Sequence, residues 1–332
     1  MRVAYEKMYG EFKRVLIKYG MNEADAAYSA ALFAEASRDG VYTHGLNRFP
    51  KFIKSVESGV VDINARAVFS GAFGVLERWD GRKGPGNLNA DICMKRAVAL
   101  AKEHVLGCVA LSNTNHWMRP GAYGLMAAKE DCIGILWTNT VPNMPPWGGK
   151  DAKLGNNPLV IAIPNGDSPV LLDIAMSMFS YGKLEKYSRE GKKLPVDGGF
   201  GPDGKVTADP AAILETHRVL PIGFWKGSGL SLVLDLIAAS LSGGSTSRDI
   251  GKLPAETELS QVFIAADLSQ FPDRNSIREK IEATLKDLND SSPAEAGSPV
   301  YFPGEGMKRV REENLKNGIP VDEGIWEQVC SL

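Results

Sequence analysis

The sequence offers little to metal or disulfide chemistry. Its four histidines (His44, His104, His116, His217) and four cysteines (Cys93, Cys108, Cys132, Cys330) are scattered, with no CxxC, no HExxH and no histidine pair at ligand spacing. That disfavours a zinc site or a disulfide framework, and the cysteines, set among apolar neighbours, read as reduced, buried thiols. Neither sign of charge dominates: 38 Lys and Arg stand against 40 Asp and Glu. A basic field for nucleic acid and an acidic tail are therefore both missing. Long apolar runs are absent too. The longest, Leu230 to Leu241, carries Asp235 and serines and falls short of the roughly 20 residues a membrane span needs. Arg2, Glu6, Lys7 and Glu11 interrupt the first turns, so no secretory signal core is visible. The expectation is a cytoplasmic protein without nucleic-acid or membrane partners.

Common cofactor and nucleophile signatures also fail. There is no GxGxxG; Gly227 and Gly229 give GxG, but Leu232 holds the third position. A phosphate-loop pattern from Gly199 to Lys205 ends at Val206, where a hydroxyl is needed to hold magnesium. No GxSxG elbow occurs.

What is present begins with helical periodicity. Tyr5, Met8, Tyr9, Phe12, Val15, Leu16 and Tyr19 mark an amphipathic helix closed by Gly20. Asn22 reads as the N-cap of a second, Ala-rich helix that stops at Gly40. A third helix carries Arg48, Phe52, Ile53 and Val56 and ends at Gly59. The texture from 66 to 88 is short apolar pieces broken by glycines, which read as strands and turns. A helix follows from Asn89 to Lys102, and Val105–Leu111, Ile133–Trp137 and Leu159–Ile163 are strand-like. The turn Pro164–Pro169 makes Leu159–Ile163 and Val170–Ile174 a hairpin, which argues against a plain doubly wound parallel sheet. Residues 186–210 are polar and rich in Gly and Pro, the composition of a mobile lid. The run 230–241 reads as a buried helix, a strand lies near Val262–Ala266, and helices follow over Ser276–Leu288, up to Asn317, and from Asp322. At 332 residues the chain suits two lobes. We expect an α+β (mixed α/β) protein with residues 1–65 and 275–332 forming a helical domain. Residues 66–274 form a sheet-containing domain for cofactor and substrate.

The chemistry concentrates in Thr43-His44-Gly45-Leu46-Asn47-Arg48. If residues from 45 onward are helical, His44 and Arg48 project from one face. An imidazole can hand a proton to a carbonyl oxygen, and a guanidinium can grip a carboxylate through two parallel hydrogen bonds. Together they describe a site for a 2-oxo acid. His44 could equally be a cap or core histidine, and Arg48 a surface charge. Ser112 to His116 and Thr138-Asn139-Thr140 follow strands and are placed to line a cleft. The glycine-containing helix entries Lys226–Gly229 and Gly304–Gly306 could hold an anion on backbone N–H groups.

Taken as a set, Thr43-His44-Gly45 with Arg48, Asn113 to His116, Thr138 to Thr140, Pro145-Pro146-Trp147-Gly148, Leu154-Gly155-Asn156-Asn157-Pro158-Leu159, Asp173 to Ser177 and Lys226 to Gly229 occur in an order that resembles the type-2 malate/L-lactate dehydrogenase family. The likeness runs the length of the chain. It implies a homodimeric reductase using NAD(H) or NADP(H), with a non-Rossmann cofactor domain on a mostly antiparallel sheet. It implies that His44 is the proton donor, with Thr43, Arg48 and His116 around the substrate. It places cofactor contacts on Pro169, Val170, Leu171, Leu172, Asp173, Ile174 and Ala175, on Trp225 and Lys226, and on Gly304, Glu305 and Gly306. The family acts on malate, lactate, sulfolactate and cyclic imines; Trp117, Met118 and Arg119 favour a sugar acid.

Overall fold

The computed structural model describes residues 1–295 and 297–332. The chain opens with a short strand, β1 (Arg2–Val3), then α1 (Tyr5–Lys18) and α2 (Glu23–Arg38). Asn22 caps α2, its side-chain oxygen accepting from the Asp25 N–H. A 3-10 turn at Tyr42–His44 precedes α3 (Phe49–Glu57), which has Pro50 in its first turn. The apolar faces of these helices close on Phe12, Phe33, Phe49 and Phe52. The rings of Phe12 and Phe49 stack at 4.3 Å, and Phe33 meets Phe49 edge-on at 5.1 Å.

The sheet comprises β2 (Val68–Phe73), β3 (Leu76–Asp80), β4 (Leu106–Thr114), β5 (Cys132–Thr138), β6 (Leu159–Ile163), β7 (Val170–Ile174) and a later strand, β10 (Leu259–Asp267). Its order is β2-β3-β4-β10-β5-β6-β7, and only the β3/β4 pair is parallel. A mostly antiparallel sheet is what the chain builds, as expected, and its parallel β3/β4 pair is joined through the helix over residues 86–104. β6 and β7 form the predicted hairpin, Leu159 opposite Ile174 and Ile163 opposite Val170. The helices α4 (Gly86–His104) and α5 (Gly121–Lys129) cover one face over Met94, Leu111, Trp117 and Phe263.

Residues 186–210 were expected as a mobile excursion, but they are folded. The helix α6 (Tyr181–Arg189), the small ribbon β8 (Gly199–Phe200) with β9 (Val206–Thr207), and α7 (Pro210–Thr216) bury Leu184, Leu194, Ile213 and Val219 against the second face of the sheet. That apolar anchoring fixes a segment whose surface is polar. The same face receives α8 (Trp225–Ser242), whose stretch 230–241 was expected as a buried helix. It packs Ser231, Leu234 and Ala238 inward and leaves Leu232, Val233 and Leu236 at 46%, 49% and 50% exposure, because only one side of it meets the sheet. The short α9 (Ser247–Ile250) leads to β10, whose Phe263 sits between Val109 and Leu136 in the middle of the sheet.

Beyond β10, α10 (Arg274–Asn289) lies beside the β6–β7 turn, its Arg278 and Ile281 sharing a recess with Asn165 and Gly166. Then come α11 (Gly306–Asn317), β11 (Ile319–Pro320) and α12 (Glu323–Ser331). β11 pairs with β1, and Ile319, Trp326 and Val329 join the N-terminal core. The chain ends thus close one helical body beside the sheet. Of the cysteines, Cys93 and Cys132 are buried and Cys108 is half-buried, but Cys330, expected inside, is exposed on α12. Among the described residues no helix is long and apolar enough to cross a membrane.

Candidate active site

The backbone around His44 is not the helix face anticipated from the spacing. Gly45 lies so close to α2 that a Cβ there would stand 2.1 Å from Ser37 Oγ and 2.8 Å from the Phe33 carbonyl oxygen. The Leu46 N–H donates to Ser37 Oγ at 2.9 Å, which pins the contact. The chain therefore turns through residues 45–48 and becomes α-helical only at Phe49. His44 and Arg48 still meet, because the turn and not a shared helix brings them to one cavity.

Around His44 the hydrogen bonds fix ring orientation. Its Nδ1 pairs with Thr43 Oγ1 at 3.1 Å, which leaves Nε2 for a ligand. The His116 ring lies nearly parallel to it, centroids 5.9 Å apart at 16°. His116 follows the end of β4, and its Nδ1 accepts the Met118 N–H at 3.0 Å. A nitrogen that accepts carries no proton, so the neutral ring holds its proton on Nε2. Burial pushes the His44 imidazole down to about 4, helped by the guanidinium groups of Arg48 and Arg119. Burial, then Arg48 and His44, holds His116 well below the usual histidine range. Arg48 itself is half-buried and has only a loose ion pair, 3.8 Å to Glu256. Glu256 is in turn tethered by the Val141 N–H at 3.3 Å.

Two cavities of about 410 Å³ each meet at this point. Thr43, His44, His116, Thr140, Asn156 and Ser180 line both and form the wall between them. Arg48, Asn143, Tyr181 and Glu256 belong to the first alone. The α6 helix closes over it, Gly182 packed so tightly on Thr43 that a Cβ would come within 2.9 Å of its methyl group. The second cavity is bounded by Asp39, Arg119, Leu171, Asp173, Ala175 and Gly304. Alternation along β7 turns Leu171 and Asp173 into it. The Asp173 carboxylate accepts the Gly121 N–H at 3.0 Å and stands open to the groove with protein on most sides. Desolvation pushes its carboxyl up to about 6. In the same cavity, Arg119 reaches Asp39 at 2.6 Å and Arg311 reaches it at 2.7 and 2.8 Å, with Arg38 also paired. Burial raises the Asp39 carboxyl, but the partners Arg311, Arg38 and Arg119 outweigh it and hold the group well below the usual carboxylate range. Three guanidinium groups on one carboxylate leave this part net positive.

The expected site residues divide accordingly. Thr43, His44, Arg48 and His116 converge on the first cavity, and Leu171, Asp173, Ala175 and Gly304 on the second. Pro169 adjoins Gly304, while Val170, Leu172 and Ile174 line neither cavity. Trp225 and Lys226 lie on the surface at the start of α8, Trp225 65% exposed, outside both cavities. The Glu305 carboxylate is occupied by Asn289 Nδ2 at 2.9 Å and the Phe302 N–H at 3.0 Å; Gly306 opens α11 in free space. Of the polar run after β5, Thr140 reaches the wall, whereas Asn139 turns inward to Asp235 at 2.8 Å. Trp117 and Arg119 border the second cavity and Met118 the underside of Arg48, so none of the three lines the first. Asn143, Asn156, Ser180, Tyr181 and Glu256 are additional lining residues that the sequence reading did not pick as site residues. Ser180 carried a usable signal as an N-cap before a polar helix, its oxygen accepting the Lys183 N–H, and Asn156 lies in the Leu154–Leu159 motif.

A family model described as malate/L-lactate dehydrogenase matches residues 3–330. The 2,3-diketo-L-gulonate reductase of Citrobacter koseri is 42% identical over 334 residues, covering 100% of both chains. Among solved structures, malate dehydrogenase from Entamoeba histolytica superposes with a TM-score of 0.93 at 26% identity, covering 100% of this chain and 96% of that one. Sulfolactate dehydrogenase from Methanocaldococcus jannaschii gives 0.88 at 30% identity, covering 99% and 95%.

Proposed function

The chain belongs to the malate/L-lactate dehydrogenase family, and from that premise we propose that it is an oxidoreductase that reduces 2,3-diketo-L-gulonate at the carbonyl next to the carboxylate, with NADH or NADPH as hydride source. The observation that carries the chemistry is the meeting of His44 and Arg48 in one cavity whose His44 wall is also the wall of a second.

Arg48 binds the substrate carboxylate through its planar fork, in place of the loose contact with Glu256. The carbonyl oxygen then lies toward the two imidazoles. His116 donates from Nε2 and His44 delivers the proton, its ring held by Thr43. Burial keeps the His44 imidazole neutral near pH 7. A carboxylate on Arg48 cancels one of the charges that depress the imidazole and adds a negative one, so substrate binding and proton uptake are coupled. In the reverse direction the neutral ring is already the base.

The second cavity suits the nicotinamide end of a dinucleotide. Leu171, Ala175 and Gly304 offer an apolar wall for a flat ring beside His44, and the net-positive cluster around Asp39 suits an anionic portion. Gly304 has φ +92 and a Cβ there would stand 2.9 Å from Leu171, so this wall tolerates no side chain at that position. A reduced nicotinamide bound there supplies the hydride. Steady-state turnover of a panel of 2-oxo acids with each cofactor tests the reading. The diketo sugar acid is expected to be the preferred substrate, and preference for oxaloacetate or pyruvate would replace it with a malate or lactate dehydrogenase.

A homodimer belongs to the same proposal. The exposed apolar face of α8, with Trp225, Leu232, Val233 and Leu236, is the kind of patch that a second copy covers. The unpaired cysteines suit a reducing, cytoplasmic setting.

A further inference from the structure

Asn156 stands on the wall shared by the two cavities, together with Thr140 and Ser180. Its side-chain oxygen is fully used: Oδ1 accepts the Thr140 hydroxyl at 3.1 Å and Asn143 Nδ2 at 3.0 Å. Asn143 is itself fixed, its N–H donating to the Leu154 carbonyl at 2.9 Å and its own carbonyl accepting the Tyr181 hydroxyl at 2.8 Å. The Asn156 amide nitrogen has no hydrogen-bond partner among the described residues and is not sealed from solvent. The opposite orientation of the two amides would bury both N–H groups of Asn143 unpaired, in place of the single buried oxygen now left over at that residue. Orphaned buried donors are the rarer and costlier case, so the fixed donor is the Asn156 N–H pair.

Of the neighbouring hydroxyls, that of Thr140 faces both Asn156 Oδ1 and the Val141 carbonyl, while the Ser180 oxygen accepts the Lys183 N–H and keeps its own proton; a hydroxyl rotates, whereas the Asn156 amide is held in one orientation. Arg48 takes the carboxylate and the two imidazoles take the oxygen on the next carbon. We propose that the Asn156 amide donates to a carbonyl oxygen one carbon further along, so that Asn156 selects vicinal 2,3-dioxo acids over 2-oxo acids with a methylene at that position. Thr140 and Asn143 are its positioning residues. The inference rests on the function proposed above and refines which acids the same site accepts.

The test is steady-state kinetics of wild type, Asn156→Ala and Asn156→Ser with 2,3-diketo-L-gulonate and with a 2-oxo acid of equal length lacking the oxygen on the third carbon. The ratio of kcat/KM for the dioxo acid to that for the deoxy acid should fall about ten-fold in both variants, the worth of one neutral hydrogen bond, and the change should lie in the KM for the acid. Asn156→Ser keeps the site polar, so it serves if the Ala variant does not fold. An unchanged ratio overturns the inference, as does a rise in the KM for the nicotinamide alone, which would assign the amide to the cofactor. Either result leaves the proposed function standing provided wild type reduces the dioxo acid. A wild type that reduces only the deoxy acid sinks both.

Discussion

Replacing His44 with Gln should change how stability depends on pH, because the fold holds this imidazole neutral. Its pKa is about 4 in the folded chain against 6.5 for the unperturbed group. Between those values the unfolded chain binds more protons than the folded one, so the neutral ring contributes fully above pH 6.5 and its contribution is lost as pH falls. At 1.36 kcal/mol per unit the loss is about 2 kcal/mol by about pH 5 and about 3 kcal/mol below pH 4. Asp173 works in the opposite direction. Its carboxyl, pushed up to about 6, takes a proton in the fold first and so adds stability as pH falls through that value. That offset is reduced because the group opens onto groove water. Comparing wild type with His44→Gln cancels Asp173 and leaves the His44 contribution. Urea unfolding at matched protein concentration, from neutral pH down to about 4.5, should show the variant gaining roughly 2 kcal/mol relative to wild type. A difference that stays flat with pH would mean His44 titrates normally, and the electrostatic picture of the first cavity would be wrong.

Three further outcomes follow from named contacts. Arg48→Lys keeps the charge but loses the fork, so KM for the keto acid should rise roughly ten- to a hundred-fold with kcat changed far less; an unaltered KM would place the carboxylate elsewhere. Asp39→Ala leaves the buried guanidinium of Arg119 and its neighbour Arg311 without their shared carboxylate. It should cost about 3–5 kcal/mol, read as a fall in thermal midpoint, and a shift near zero would show the cluster to be well solvated. Leu236→Glu on the exposed face of α8 should yield a monomer by light scattering if that face joins two copies, whereas an unchanged mass would move the interface elsewhere.

Where pattern and packing are local, the residues spell out their structure. The β6–β7 hairpin begins and ends where its short apolar runs and the turn put it, because a strand pair joined by a short turn needs nothing from the rest of the chain. β10 extends beyond the 262–266 stretch, over Leu259–Asp267, since a strand buried on both faces shows no alternation to mark its ends. The Thr43–Arg48 motif marked residues that the fold does bring to one cavity, but its backbone followed from the contact of Gly45 with Ser37 and Phe33, which no spacing within the motif reveals. The uniform apolar run of α8 cannot say which of its sides a partner covers. Glu256 and the Asp39–Arg119–Arg311 cluster join residues far apart in the chain, so their partners emerged only with the fold.

The central claim is that His44 gives the proton to a keto acid held by Arg48. Its most direct test is turnover of His44→Ala with the nicotinamide cofactor and 2,3-diketo-L-gulonate, followed by nicotinamide absorbance, beside cofactor binding followed by tryptophan fluorescence. The account predicts a loss of about a hundred- to ten-thousand-fold in kcat with cofactor binding kept. Turnover at the wild-type rate would contradict it.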